Sequence, residues 1–217
     1  EGPHELIKDM SVRDRYLVGK LAPRRPGDDQ TAQLEPASAA DEAGEPLRLM
    51  IDLPNDSDIV DILIHKPGAK LLVASTEGDG FVVPEDEVIA QTRAGKVVLN
   101  VKDGVQTRVV RRTVGDHVAV VGENRKVLVF PLDELPEMTR GKGVRLQKYN
   151  MARGRQGALE LDGGLADVTT FNWDEGLSWE MGGGKTRREG DLSQWLGKRA
   201  GIGKRPPHGF PKNYKFK

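Results

Sequence analysis

Apolar residues occur in short alternating bursts along this chain, and turn residues interrupt them every 8–12 positions. That rhythm is the signature of half-buried β-strands rather than of helices with a 3.6-residue period. It predicts strands at Asp14–Gly19, Leu47–Leu53, Ile59–His65, Lys70–Ser75, Phe81–Val83, Lys96–Val101 and Thr107–Arg112. Further strands are expected at His117–Val121, Val127–Phe130, Val144–Lys148, Val168–Trp173 and Leu177–Trp179. Runs such as Leu71-Leu72-Val73-Ala74 and Val118-Ala119-Val120-Val121 are apolar at every position. A strand reads that way when its sheet is covered on both faces. Helix is expected in two places only, a short irregular piece at 85–90 after Pro84 and a turn or two over Arg187–Trp195 with Asp191 as N-cap.

The pattern repeats. At an offset of 47 residues, Leu71–Ala74 falls on Val118–Val121, Phe81-Val82-Val83-Pro84 on Leu128-Val129-Phe130-Pro131, and Thr92-Arg93 on Thr139-Arg140. A third, more diverged copy follows, in which Lys198-Arg199-Ala200-Gly201-Ile202-Gly203-Lys204 echoes Arg93-Ala94-Gly95-Lys96 with two residues inserted. Units of this length point to a propeller or a solenoid, in which each unit buries its apolar faces against its neighbours. The units are drawn at about 44–101, 102–149 and 158–205, with 206–217 as a proline-rich tail. Residues 1–43 form a degenerate first blade or a mobile segment, because 22–43 is polar, proline-containing and too poor in apolar residues to order itself.

Composition narrows the chemistry. The 217 residues include no cysteine, so disulfides and thiolate metal sites are excluded. The four histidines (His4, His65, His117, His208) show no ligand spacing. With no apolar run long enough to span a bilayer, the chain reads as soluble and cytoplasmic. Its net charge of zero conceals a polarity: residues 1–90 hold 9 Lys and Arg against 19 Asp and Glu, and residues 91–217 hold 24 against 14. A basic half of this kind suits a polyanion, although mixed charge also simply keeps a repeat protein soluble.

The most basic turn is Thr139-Arg140-Gly141-Lys142-Gly143-Val144-Arg145-Leu146-Gln147-Lys148, four cations and no carboxylate. Its glycines permit close approach of the backbone, and exposed backbone N–H groups beside cations suit phosphate oxygens. Gly182-Gly183-Gly184-Lys185-Thr186 matches the end of a nucleotide-binding P-loop, but Trp179 stands where that motif needs its first glycine, so a hairpin turn is expected. Trp173, Trp179 and Trp195 are assigned to blade cores.

The units with this basic turn resemble the C-terminal domain shared by the A subunits of DNA gyrase and bacterial topoisomerase IV. The turn is shorter than the Gln-Arg-Arg-Gly-Gly-Lys-Gly box of gyrase and is similar to the topoisomerase IV branch. So are Gly44–Leu53, Gly115–Lys126 and Trp195–Ala200 with Gly209-Phe210-Pro211. The resemblance implies an all-β, propeller-like β-pinwheel of four-stranded blades, open or closed into a ring, whose neighbouring blades exchange strands. It implies a rim that binds the DNA backbone without reading sequence and bends it. Carried onto this sequence, the rim residues are Arg93, Lys96, Arg140, Lys142, Arg145, Lys148, Lys198, Arg199, Lys204 and Arg205, with Arg125 and Lys126 nearby.

The same resemblance places ATP and Mg²⁺ in other parts of a strand-passing enzyme. It names as partners double-stranded DNA, the remainder of the A subunit, and an ATPase B subunit, in a bacterial, nucleoid-associated setting. No catalytic role falls on Tyr16, Tyr149 or Tyr214, and no cofactor or metal site on this chain. The shortened box implies weaker DNA wrapping than gyrase gives. The competing reading is a propeller-like protein-interaction scaffold without nucleic-acid binding, served by the acidic half.

Overall fold

The computed structural model describes residues 16–20, 59–92, 95–153, 159–161, 163–181 and 183–216. The strand expected at Leu47–Leu53 and the loop expected at 22–43 lie outside them. Strand β1 (Tyr16–Lys20) pairs antiparallel with β2 (Ile59–Ile64), Tyr16 opposite Ile64. The next hairpin joins β3 (Lys70–Ser75) to β4 (Asp79–Pro84), and a single helical turn, α1 (Glu85–Val88), follows Pro84.

That hairpin is completed from downstream. Strand β5 (Thr107–Arg112) lies along β3 with Val110 opposite Val73, and β8 (Val144–Arg145) lies along β4 with Arg145 opposite Asp79. The resulting four-stranded sheet has the order β5-β3-β4-β8. The second sheet is assembled the same way. Its hairpin is β6 (His117–Gly122) and β7 (Val127–Pro131), and β11 (Leu165–Phe171) covers the free side of β6. Single bridges from Leu196 and Lys204 then line β7. A third hairpin pairs β12 (Leu177–Glu180) with β13 (Thr186–Glu189), and a small ladder joins β9 (Met151–Arg153) to β10 (Leu159–Leu161). Neighbouring units thus exchange strands, in keeping with a pinwheel.

Period-2 alternation explains how the all-apolar runs are spent. Leu72 and Ala74 face Val118, Val120, Leu128 and Phe130 in a core between the first two sheets. Leu71 and Val73 point the other way and pack on Phe81, Val83 and Val88. In the second sheet Ala119, Val121, Val127 and Val129 meet Leu177, Trp179 and Trp195 of the third unit and Phe216 of the tail. Each such side chain removed from water contributes on the order of 1.5–3 kcal/mol.

Three local expectations fail. The strand predicted at Lys96–Val101 is only a bridge from Leu99 to Gly141, and the one predicted at Val144–Lys148 shrinks to two residues. Both segments run along glycine turns that expose little ladder. The helix predicted over Arg187–Trp195 is absent: Thr186–Glu189 pairs with β12, and Gly190 releases the chain into a turn where Asp191 accepts hydrogen bonds from the Ser193 N–H and hydroxyl. A strand partner outweighs modest helix propensity here. Gly183 and Gly184 fall in the β12–β13 turn, as a hairpin requires.

Candidate nucleic-acid interface

The basic turns sit at the outer edges of the sheets, where each closes the hairpin of the preceding unit. Val82 donates its N–H to Pro136 O and accepts from the Met138 N–H, at 3.1 and 2.8 Å. Forty-seven residues on, Val129 donates to Trp195 O and accepts from Gly197, at 2.9 and 2.8 Å. The turns also bond to the unit behind. Gly141 N–H donates to Val98 O and its carbonyl accepts from Asn100; Ala200 donates to Leu146 O and Gly201 O accepts from Lys148. The rim is therefore a run of hydrogen-bonded segments, each pinned to the one before it.

Close approach at these junctions requires glycine. Gly143 has φ +80°, and a Cβ there would lie 2.4 Å from Gly80 O. Gly203 has the same φ, and its Cβ would lie 2.6 Å from Val127 O and 2.8 Å from Gln147 Nε2. Gln147 is fully buried and braces the second junction, donating to Lys126 O and Ile202 O at 3.0 Å each.

The sequence-assigned cations fall into distinct states. Lys142 Nζ and Arg145 Nε both lie 3.0 Å from the carboxylate of Asp79, which is 3 % exposed. Lys142 meets Oδ2 as an ion pair without hydrogen-bond alignment, and Arg145 also donates to the Glu77 carbonyl. Arg140 Nε donates to the neutral Asn100 side chain at 3.3 Å, and Lys96 Nζ to Glu87 O. Arg199 is half-buried. Its N–H donates to the Glu134 carboxylate, and its guanidinium donates to the Glu134 and Arg145 carbonyls. It fastens one turn to another. Lys148, Lys198, Lys204 and Arg205 are exposed, with no side-chain partner among the described residues. Arg93 lies outside the described residues. Arg125 covers the Tyr214 ring, 5.4 Å from its centroid.

Sequence reasoning did not find Asp79 or Gln147. Asp79 carried a usable signal, because the 47-residue offset places it on Lys126, a reversal of charge. Among the described residues, no group of three or more His, Asp or Glu could hold a metal ion, and no helix is long and apolar enough to cross a membrane. The tryptophans lie where the core assignment put them: Trp179 and Trp195 are buried, and Trp173 is half-buried against His117, ring centroids 4.6 Å apart.

A family model described as the DNA gyrase C-terminal domain, beta-propeller, matches residues 69–109 and 116–151. The chain is 46 % identical over 173 residues to the A subunit of DNA topoisomerase 4 from Rickettsia bellii, covering 80 % of this chain and 22 % of that protein. It is 43 % identical over 175 residues to the protein of the same name from Caulobacter vibrioides, covering 80 % and 21 %. The chain thus spans about a fifth of the length of these relatives. The solved E. coli ParC C-terminal domain superposes with a TM-score of 0.63 at 25 % identity, over 77 % of this chain and 67 % of that one. A DNA gyrase A C-terminal domain structure shares the fold, with a TM-score of 0.53 at 17 % identity over 74 % and 52 %.

Proposed function

We propose that this chain, which matches the DNA gyrase C-terminal domain family model over residues 69–109 and 116–151, is the DNA-holding domain of a topoisomerase IV A subunit. The observation that carries this reading is the rim itself, in which basic turns recur at each blade junction and are locked to one another through backbone hydrogen bonds. Exposed cations on a fixed frame bind phosphates without reading bases, because phosphate contacts position a duplex and carry no sequence information. Turns that recur from blade to blade would follow a curved path. A duplex touching several of them must bend, at a cost on the order of 1–6 kcal/mol that several contacts together offset.

In the whole protein this domain would hold the duplex to be transported. The rest of the A subunit, together with an ATPase B subunit, would carry out ATP-dependent strand passage in the bacterial cytoplasm, on the nucleoid. ATP and Mg²⁺ would bind in those parts. The residues of this chain would supply the grip and the curvature, with less wrapping than gyrase because part of the first turn's charge is already paired.

The test is a titration of the chain against two short duplexes of unrelated sequence at two salt concentrations. Equal affinities that fall with salt are expected, with a log–log slope of about −0.9 for each phosphate neutralised. Absence of binding at low salt would refute the reading and leave the protein-interaction scaffold in its place.

A further inference from the structure

The two rim junctions are built alike but charged differently. At the first, three segments meet: Glu77–Gly80 at the β4 edge, Val98–Asn100 from the unit behind, and the turn Met138–Arg145. At the second, the corresponding segments are Asn124–Val127, Leu146–Lys148 and Gly197–Arg205. The correspondence is fixed by pairing. Gly80 lies opposite Val144 and Asp79 opposite Arg145, while Val127 bridges Lys204, which sets Lys126 across from Arg205.

The first junction holds three cations (Arg140, Lys142, Arg145) and two carboxylates (Glu77, Asp79), a net charge of +1. The three segments of the second hold seven cations (Arg125, Lys126, Lys148, Lys198, Arg199, Lys204, Arg205) and no carboxylate of their own. Five changes make the difference: Asn124 for Glu77, Arg125 for Gly78, Lys126 for Asp79, Lys148 for Asn100, and Lys198 with Arg199 for a single arginine. Of the seven, Arg199 donates its guanidinium to the Glu134 and Arg145 carbonyls and Arg125 lies on Tyr214.

We infer that the second junction, around Lys126, Lys148, Lys198, Lys204 and Arg205, is the main duplex-DNA contact of this chain, and that Asp79 holds the first turn's charge in reserve. This inference rests on the DNA-binding reading above. A phosphate approaching Lys142 or Arg145 also approaches the Asp79 carboxylate, 3.0 Å from both. Much of the attraction from one cation is cancelled there, and the cations cannot leave without stranding a buried charge. At the second junction Glu134 accepts from the Arg199 N–H at 2.8 Å, but among the described residues no carboxylate is paired with Lys126, Lys148, Lys198, Lys204 or Arg205. Its frame is also rigid, since Gln147 and the Gly203 approach fix the three segments together. The turn most conspicuous in the sequence is thus the weaker contact.

The experiment compares the chain with two double variants, Lys204→Ala/Arg205→Ala and Lys142→Ala/Arg145→Ala, and with Lys126→Asp. Each is titrated with a fluorescent duplex of arbitrary sequence across a salt series, and its thermal midpoint is recorded as a fold control. The second-junction double variant should lose affinity on the order of tenfold or more at low salt, and its salt slope should shrink by about 1.8. The first-junction double variant should change the slope by less than half as much. Lys126→Asp, which installs a carboxylate where the first junction has one, should weaken binding as the second-junction double variant does. Equal losses in the two double variants, or a larger loss at the first junction, would overturn the inference while leaving DNA binding intact. Failure of the unmodified chain to bind would instead defeat the functional reading itself.

Discussion

Replacing Glu85 with glutamine should destabilise the first blade more than any surface substitution can. The Glu85 side chain is fully buried and accepts three hydrogen bonds, from Arg112 Nε at 2.5 Å, Arg112 Nη2 at 3.1 Å and the Lys66 N–H at 2.7 Å. Arg112 also donates to Ile64 O, so one ion pair ties β2, α1 and β5 together. Glutamine keeps the shape but removes the charge and turns an amide NH₂ toward guanidinium donors. Breaking a wholly buried pair by disabling one partner costs about 3–5 kcal/mol. The Arg112 side chain retains 33 % exposure, which lets water compensate it in part and lowers the expectation to roughly 2–4 kcal/mol. For a chain of this size that corresponds to a fall in Tm of roughly 4–16 °C.

The effect has a pH signature. Burial pushes the Glu85 carboxyl up, but the hydrogen bonds from Arg112 and the Lys66 N–H, with the charges of Arg112 and His65, outweigh it and hold the carboxyl below its usual range. The folded value lies below the unfolded one, so the stabilisation is fully present above the ordinary glutamate range. It is lost as pH falls through the depressed folded value. The gap in Tm between the chain and Glu85→Gln should be constant near neutrality and close in acid, as calorimetry across a pH series would show. A gap below about 1 °C at neutral pH, or one that widens in acid, would refute this account. Replacing both partners by leucine should cost less than Glu85→Gln alone, because no charge is then stranded.

Gly203→Ala should destabilise by more than about 1 kcal/mol in urea, since positive φ and a Cβ 2.6 Å from Val127 O both oppose it. It should also weaken DNA binding, and an unchanged urea midpoint would refute it. The Asp116 carboxyl is held below its usual range by the His117 hydrogen bond first and the Trp173 N–H second. Carboxyl NMR titration should give a midpoint below the ordinary aspartate range, and His117→Phe should move it back up.

Much of the strand pattern was legible because burial on both faces leaves local marks, apolar runs bounded by Gly, Pro and Asp turns. Pairing was not legible in that way. Nothing in Thr107–Arg112 announces that it will lie along β3 of the preceding unit, because the register is set by a partner more than thirty residues away. The closing segments misled for a related reason: Lys96–Val101 has the alternation of a strand but meets only a glycine turn, which offers a single bridge. At the rim, residue type singled out Lys148, Lys198, Lys204 and Arg205, which are exposed. It could not separate them from Lys142 and Arg145, whose counter-ion comes from Asp79, over sixty residues earlier, nor from Arg199, whose guanidinium is spent on the Glu134 and Arg145 carbonyls. The 47-residue offset already held the Asp79-to-Lys126 reversal, but reading it needed the knowledge that both positions face a rim turn.

Strand exchange also sets a timetable for synthesis. The β3–β4 hairpin leaves the ribosome by Pro84, yet the last strand of its sheet ends at Arg145, 61 residues later. At roughly 5–20 residues per second, the edge of β4 waits on the order of 3–12 s for its partner. The second hairpin waits longer still, from Pro131 to the bridge at Lys204. During those seconds each nascent blade carries an open sheet edge, the state most prone to pairing with another chain. A stop or pause inside a rim turn would therefore leave the preceding blade unsealed, and a lesion at one junction would be felt first as aggregation of the unit before it.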